Sequence, residues 1–315
     1  MPELPEVQTT ADGLETVLPG LSIRDVWTNY GGAFHAGKQH IKDRAYFTLF
    51  HKEIIGRKFV SIARRGKNVL LHLSAKEDSG KRSPEQTILV HMKMTGHLMY
   101  GKYAFRAGKA FAKDPWHATE PGPLQDPFNA WIRLVFSLSN GKHLVLSDMR
   151  RFAKVCMTET SSLASYPDLA DLGPEPLSPS FTTASFKGRL MLRPNMKMKQ
   201  ALLDQELIAG IGNIYSDEIL WLGGVHPLRK VSKVTDAEWR AMHAGMKKVL
   251  AKGVSLGGDS MSDYRNAFGE KGGFQACHNA YRRTGKICLK KGCKGTIRRL
   301  KVGGRSAHFC DTHQK

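Results

Sequence analysis

The sequence predicts an α+β protein of two domains, a β-rich first half of sandwich or barrel type and a helical second half that ends in a Cys/His cluster. Three observations predict it. The chain of 315 residues exceeds the roughly 100–200 of a single domain. Short alternating apolar runs bounded by Gly, Asn and Ser crowd the first half. Past Tyr166, Pro167, Gly173, Pro174, Pro176 and Pro179 mark a linker, and helical periodicity follows it.

In the first half, strands are expected at Phe59–Ile62, Val69–Leu73, Thr87–Met92, Trp131–Leu138 and His143–Leu146. Ser139-Asn140-Gly141-Lys142 joins the last two as a hairpin, since Asn-Gly tolerates the positive φ of a type I′ turn. Two polar inserts, Ser74–Gln86 and Lys102–Pro127, read as mobile surface loops, the first charged and the second rich in Gly and Pro. In the second half, Met198–Ile208 and Asn213–Leu222 are amphipathic runs separated by Ala209–Gly212, a helix, turn, helix unit. Thr235 with Glu238 makes a capping box, after which Trp239, Met242, Met246, Val249 and Leu250 share one helical face, most simply a core stripe. Domains are expected at 1–163, 177–270 and 277–315.

Apolar residues at 41% and charged residues at 24% exclude global disorder and fibrous repeats. No apolar run reaches the ~18 residues of a membrane span, and the start at Pro2 and Glu3 lacks a secretory pattern, so a soluble cytoplasmic protein is expected. Forty-eight Lys and Arg against 28 Asp and Glu leave a net charge of +20. Such an excess favours a polyanionic partner. Residues 271–315 hold 12 of those cations and one acid, Asp311, so the C-terminal end should touch the polyanion.

Within that end, Cys288, Cys293, Cys310 and His313 form two ligand pairs separated by sixteen residues. That spacing suits one tetrahedral structural Zn²⁺, which substitutes for a missing apolar core; the alternative is incidental free thiols. Protein fills all four positions, which disfavours a catalytic metal. Between the pairs lie Arg298, Arg299, Lys301 and Arg305, with Gly303-Gly304 as the turn, a basic hairpin suited to DNA phosphates or simply a solvated face. Upstream, Gly210-Ile211-Gly212-Asn213 permits close backbone approach, either as a packing turn or as helix-entry amides on a phosphate. At the N-terminus, removal of Met1 would make Pro2 a secondary amine, unprotonated in greater fraction near pH 7 than a lysine, with Glu3 and Glu6 beside it as proton shuttles. The plain alternative is an ordinary start before a helix.

Taken together, Met1-Pro2-Glu3-Leu4-Pro5-Glu6-Val7, Arg64-Arg65-Gly66-Lys67-Asn68, Met94-Thr95-Gly96, Asp148-Met149-Arg150-Arg151-Phe152, Gly210 to Tyr215 and the terminal cluster resemble the formamidopyrimidine-DNA glycosylase (Fpg/Nei) family from residue 2 to residue 314. The resemblance implies an N-terminal antiparallel β-sandwich and a C-terminal helix-two-turn-helix domain with a zinc-finger β-hairpin, with DNA in the cleft between them. It implies Pro2 as the Schiff-base nucleophile, Glu3 as acid/base, Lys67 as an aid to β-elimination and Arg305 as the phosphate grip for δ-elimination. Met94, Arg150 and Phe152 would fill the void of the flipped base, with Lys199 and Asn213 on the DNA backbone. The segment from Gly257-Gly258 to Phe274 resembles the loop that covers the everted base, and Leu4 matches the branch acting on oxidised purines. The expected partner is double-stranded DNA carrying a damaged base, met by a monomer with one structural zinc. Four features depart from the family pattern: Lys93 and Met149 replace a usual Gly and Pro, the first finger pair is spaced by four with His313 as the last ligand, and a histidine often found on the strand before the hairpin has no counterpart near Trp131 to Arg133.

Overall fold

The computed structural model describes residues 1–78, 81–108 and 114–315. They fall into two compact units. The first holds Met1–Pro2, Glu6–Ala170 and Gly257–Gly272, the second Glu3–Pro5, Asp171–Leu256 and Gly273–Lys315. Among the described residues no helix is long and apolar enough to cross a membrane.

In chain order the strands are β1 (Ile23–Thr28), β2 (Phe59–Arg65), β3 (Asn68–Leu73), β4 (Glu77–Asp78), β5 (Lys81–Arg82), β6 (Gln86–His91), β7 (His97–Gly101), β8 (Tyr103–Phe105), β9 (Trp116–Ala118), β10 (Ile132–Leu138), β11 (His143–Ser147), β12 (Lys154–Glu159), β13 (Ile297–Val302) and β14 (Arg305–Cys310). The helices are α1 (Leu4–Glu15), α2 (Arg44–Ile54), α3 (Pro167–Ala170), α4 (Thr183–Met191), α5 (Met198–Leu203), α6 (Asn213–Gly223) and α7 (Asp236–Ser255).

Two four-stranded antiparallel sheets, ordered β1-β10-β11-β7 and β12-β6-β3-β2, build the sandwich of the first unit. Strand alternation sends Leu98 and Tyr100, Leu134 and Phe136, and Leu144 and Leu146 into one apolar core with Ile88, Val90 and Val7. Between those positions Met99, Val145 and Val135, cross-strand partners in register, point to the opposite face. An apolar outer face needs a cover. The second insert supplies it: β8 pairs with β9, and Tyr103, Trp116, Ala118 and Leu124 pack on that face with Trp27. The expectation of a bare surface loop is therefore corrected, because the insert carries the aromatic residues that bury Val135 and Val145. In the first insert β4 pairs with β5. The mobility expected of the two inserts, at their tips 79–80 and 109–113, lies outside the described residues.

The Ser139–Lys142 hairpin forms with a different turn. Gly141 alone takes positive φ, +77°, while Gly141 N donates to Leu138 O and Leu138 N to Lys142 O. That is a three-residue loop closed by a left-handed glycine rather than type I′, and Asn140 instead donates to the Tyr100 hydroxyl at 2.7 Å.

The second unit gathers α4, α5, α6 and α7 around Phe186, Tyr215, Trp239, Met242, Met246 and Leu250. The capping box forms, with the Thr235 hydroxyl accepting from Glu238 N, and the α7 stripe is core as expected. Helix α5 ends at Leu203, short of Ile208, because the Asp204 carboxylate accepts Glu206 N at 3.0 Å and Gln205 spans the turn, its amide donating to Ile211 O and its oxygen accepting from Gly210 N. Residues 257–272, of which 257–270 were expected with the helical domain, group instead with the first unit. Tyr100 N donates to Ala267 O, the Tyr264 hydroxyl donates to Glu6 O, and Ala267 joins the sandwich core.

Candidate active site and metal centre

The first residues of the chain are buried rather than frayed. Pro2 is buried and Glu3 is 2% exposed. In the second unit Glu3 Oε1 accepts Ile214 N at 2.9 Å and Oε2 accepts Tyr215 N at 3.3 Å, two of the orphan amides at the start of α6. Leu4 N donates to Gly210 O at 3.0 Å. A Cβ on Gly212 would come within 2.2 Å of the Glu3 carboxyl carbon, and one on Gly210, at φ +88°, within 2.8 Å of Leu4. The two glycines thus exist to seat the N-terminus, and the amides read from sequence as a phosphate cradle hold the Glu3 carboxylate. Asn213, first residue of α6, keeps its side-chain Oδ1 buried with no partner among the described residues.

Lys199 departs from its expected place on the DNA backbone. Its ammonium is fully buried and donates to Asn213 O at 2.9 Å, Ser216 Oγ at 2.7 Å and Asp217 Oδ1 at 2.7 Å. Burial pulls its pKa down against the opposing pull of Asp217. Asp217, also fully buried, uses its other oxygen to accept both His308 N at 3.0 Å and His308 Nδ1 at 2.9 Å. Lys199 therefore ties the start of α6 to strand β14 of the basic hairpin; having three acceptors and no solvent, it cannot itself reach a phosphate.

In the first unit Lys67 is 7% exposed, in the tight turn that pairs Arg65 with Asn68, where Gly66 takes φ +58°. His91, paired with Asn68 across the sheet, was not among the sequence-derived candidates. Burial, then the charges of Lys93 and Lys67, push its imidazole down to about 3, so it stays neutral beside those cations.

The three expected void-filling residues meet in one place. Met1, Lys42, Met94, Arg150, Arg151 and Phe152 line a 590 Å³ pocket that, among the described residues, no carboxylate lines. Its two loops are braced from below by Asp148, which is fully buried. Asp148 accepts from Thr95 Oγ1 at 2.6 Å, the Tyr30 hydroxyl at 2.8 Å and Ala153 N at 2.8 Å, and Thr95 Oγ1 accepts Arg150 N at 3.1 Å. Burial and then the Asp148 charge keep the Tyr30 phenol protonated by raising its pKa. The brace leaves Phe152 48% exposed with the Arg150 guanidinium 4.5 Å from its ring centre. Lys93, at the position where the family pattern has Gly, has φ +54°, a conformation that glycine adopts more readily. No spacing rule singles out Asp148; an Asp directly before Met149-Arg150-Arg151 at a strand end was the available signal.

At the C-terminus the ligand atoms of Cys288, Cys293, Cys310 and His313 lie within 4.8 Å of one another. Cys293 Sγ is 3.6 Å from Cys310 Sγ, and His313 Nδ1 is 3.4 Å from Cys288 Sγ. His313 Nε2 sits 3.0 Å from Trp221 O, so the ring points Nδ1 into the cluster. Lys290 N, Gly295 N, Thr312 N and the Trp221 indole each donate to one of the sulfurs at 3.3–3.5 Å. Convergent soft donors with N–H groups on the sulfurs are what a metal-bound thiolate set requires, so the residues fit a closed metal centre. Strands β13 and β14 rise from it, and Gly303 and Gly304, φ +53° and +78°, form the tip beside exposed Arg305. Of the other hairpin cations, Arg298 is tied back to Asp311 at 2.8 Å and Arg299 donates to Ser306 Oγ, while Lys301 is exposed.

Residues 1–155 match the formamidopyrimidine-DNA glycosylase N-terminal domain and 172–265 the formamidopyrimidine-DNA glycosylase H2TH domain. The formamidopyrimidine-DNA glycosylase of Heliobacterium modesticaldum is 34% identical over 315 residues, all of each chain. The Lactococcus lactis Fpg in complex with abasic-site DNA is 26% identical with a TM-score of 0.78 over 99% of each chain. A point mutant of that enzyme bound to a Fapy-dG-containing DNA matches over 100% of each chain, also at 26% and 0.78. With family matches across both units and a relative aligned end to end, the chain belongs to the formamidopyrimidine-DNA glycosylase family.

Proposed function

We propose that the chain is a bifunctional DNA glycosylase and AP lyase of base excision repair, acting as a cytoplasmic monomer on duplex DNA that carries an oxidised purine such as 8-oxoguanine or a formamidopyrimidine. The observation that carries this reading is the burial of the N-terminus: Pro2 and Glu3 are held in place, Glu3 on the α6 amides, where an ordinary start would be left to solvent.

Once Met1 is removed, the Pro2 nitrogen attacks C1′ of the damaged nucleotide and the base departs with the electrons of the glycosidic bond. Glu3 takes the proton released by the Pro2 nitrogen and delivers it to the sugar ring oxygen as the ring opens, leaving an iminium on Pro2. Loss of a C2′ proton then expels the 3′ phosphate, and a second elimination expels the 5′ phosphate. Lys67 and Arg305 grip those phosphates, and Met94, Arg150 and Phe152 occupy the space left by the flipped nucleotide. Asn213 donates its side-chain amide N–H to the phosphate backbone, with Lys199 acting behind it. The loop 257–274 covers the everted base. Cys288, Cys293, Cys310 and His313 would hold Zn²⁺, which stiffens the hairpin that presents Arg305.

Borohydride trapping on an 8-oxoguanine:cytosine duplex tests this, with thymine glycol and abasic duplexes alongside. An adduct mapping to Pro2 on the 8-oxoguanine strand is expected. An adduct confined to thymine glycol would transfer the substrate to oxidised pyrimidines, and no adduct anywhere, with DNA binding intact, would sink the catalytic reading. Glu3→Gln should lose about 10²-fold or more in base release while DNA affinity changes little.

A further inference from the structure

The segment from Lys102 to Ala130 does more than cover the outer face of the sandwich. Its far end closes on the 257–272 loop. Arg265 of that loop is 1% exposed, and its Nε and Nη2 donate to Asp126 Oδ2 at 3.2 and 3.0 Å. Nη1 of the same guanidinium donates to Ser262 O at 3.2 Å and Tyr264 O at 2.8 Å, so Arg265 gathers the loop's own backbone around it. The guanidinium carbon lies 4.8 Å from the Phe128 ring centre. Asn129 adds a third tie, donating to Gly269 O at 3.4 Å while its oxygen faces buried His97 Nε2 at 2.9 Å. A Cβ on Gly269, at φ +83°, would strike Pro123 and Leu124 backbone at 2.8 Å, so the two segments lie in direct contact.

A guanidinium taken out of water is tolerated only when its donors are satisfied, and here one carboxylate and two carbonyls satisfy it. The pair is a lock between two segments more than a hundred residues apart in sequence. We propose that Asp126 and Phe128 are positioning residues that hold the 257–272 loop in place before DNA arrives, through Arg265. The inference rests on the reading of that loop as the cover of the everted base. The insert then acts on base recognition: a pre-ordered loop lowers the ordering cost of engaging the flipped base and leaves the chemistry at an already bare abasic site untouched.

The test uses the full chain, with Asp126→Ala and, because Phe128 is exposed and its truncation leaves the core intact, Phe128→Ala. In the DNA-free protein, hydrogen exchange within 257–272 should rise about tenfold or more in Asp126→Ala, with the sandwich strands unchanged. Excision of 8-oxoguanine should fall about tenfold in both variants while cleavage of a preformed abasic duplex stays within about twofold. Unchanged exchange in the loop, or excision and abasic cleavage falling together, would overturn the proposal. A parent protein that acts on abasic but not on oxidised DNA would sink the substrate reading alone, since the exchange experiment still decides whether Asp126 clamps the loop.

Discussion

The loops carrying Met94 and Arg150 and the basic hairpin present cations in different ways. In the first unit, Arg150 and Phe152 stand on loops over a large apolar sandwich core, braced by one neutral-and-acid cluster around Asp148. The hairpin has little to stand on: the apolar cluster beneath it comprises Trp221, Ala280, Cys288, Ile297 and Cys310, two of them ligand cysteines. What burial does in one place, the Lys199–Asp217–His308 network and a Cys₃His cluster fit to hold a metal do in the other. The lesson is that a small basic element cannot rely on the hydrophobic effect and must be held by ligation and buried charge.

The largest effect that would break this comparison is metal loss. Cys310→Ser, or a strong chelator, should remove on the order of 10 kcal/mol of stabilisation from the hairpin while the sandwich keeps its fold. Hydrogen exchange resolved by segment checks it; a hairpin unmoved by chelation would show that packing suffices. Next is Asp217→Ala, which strands the buried Lys199 ammonium and should cost about 3–5 kcal/mol in thermal or denaturant unfolding. Asp148→Ala leaves the Thr95 and Tyr30 hydroxyls and Ala153 N without their acceptor and should cost roughly 1–3 kcal/mol, with weaker binding to abasic-analogue DNA.

Acid sharpens the contrast further. The folded pKa of His91 is pushed from 6.5 down to about 3, so its contribution to stability is complete above pH 6.5 and is lost as pH falls from there towards 3. His91→Gln should flatten the stability–pH slope over that window by about one proton's worth, measured by unfolding at several pH values. The smallest stability effect belongs to Arg305→Ala. Exposed at the hairpin tip, it should change unfolding by less than about 0.5 kcal/mol, yet lower the salt slope of DNA binding by about 1.

Much of this molecule was legible in its residues. All five expected strands form within a residue or two except at Arg65, where β2 runs on to a tight turn. The capping box and the α7 stripe appear where the periodicity put them. The ligand spacing foretold a convergent Cys₃His cluster, and the structure brings Met94, Arg150 and Phe152, picked out by two motifs, to the lining of one pocket. These are local patterns or short motifs, which the chain carries in adjacent residues. Strands β1, β7 and β12 went unread because their apolar residues are fewer or interrupted, and their pairing decides them.

By itself, then, the sequence determined the two-part architecture, the basic C-terminal end, the metal-ligand set and the family. Only the tertiary structure decided that Gly210 and Gly212 seat Leu4 and Glu3, that Lys199 is a buried tie to Asp217, that Asp148 braces the pocket, and that residues 257–272 belong with the sandwich through Arg265 and Asp126. Each joins groups far apart in sequence. A buried charge or a glycine too close for a Cβ takes its meaning from the group it meets, and that group is set by the fold rather than by its neighbours along the chain.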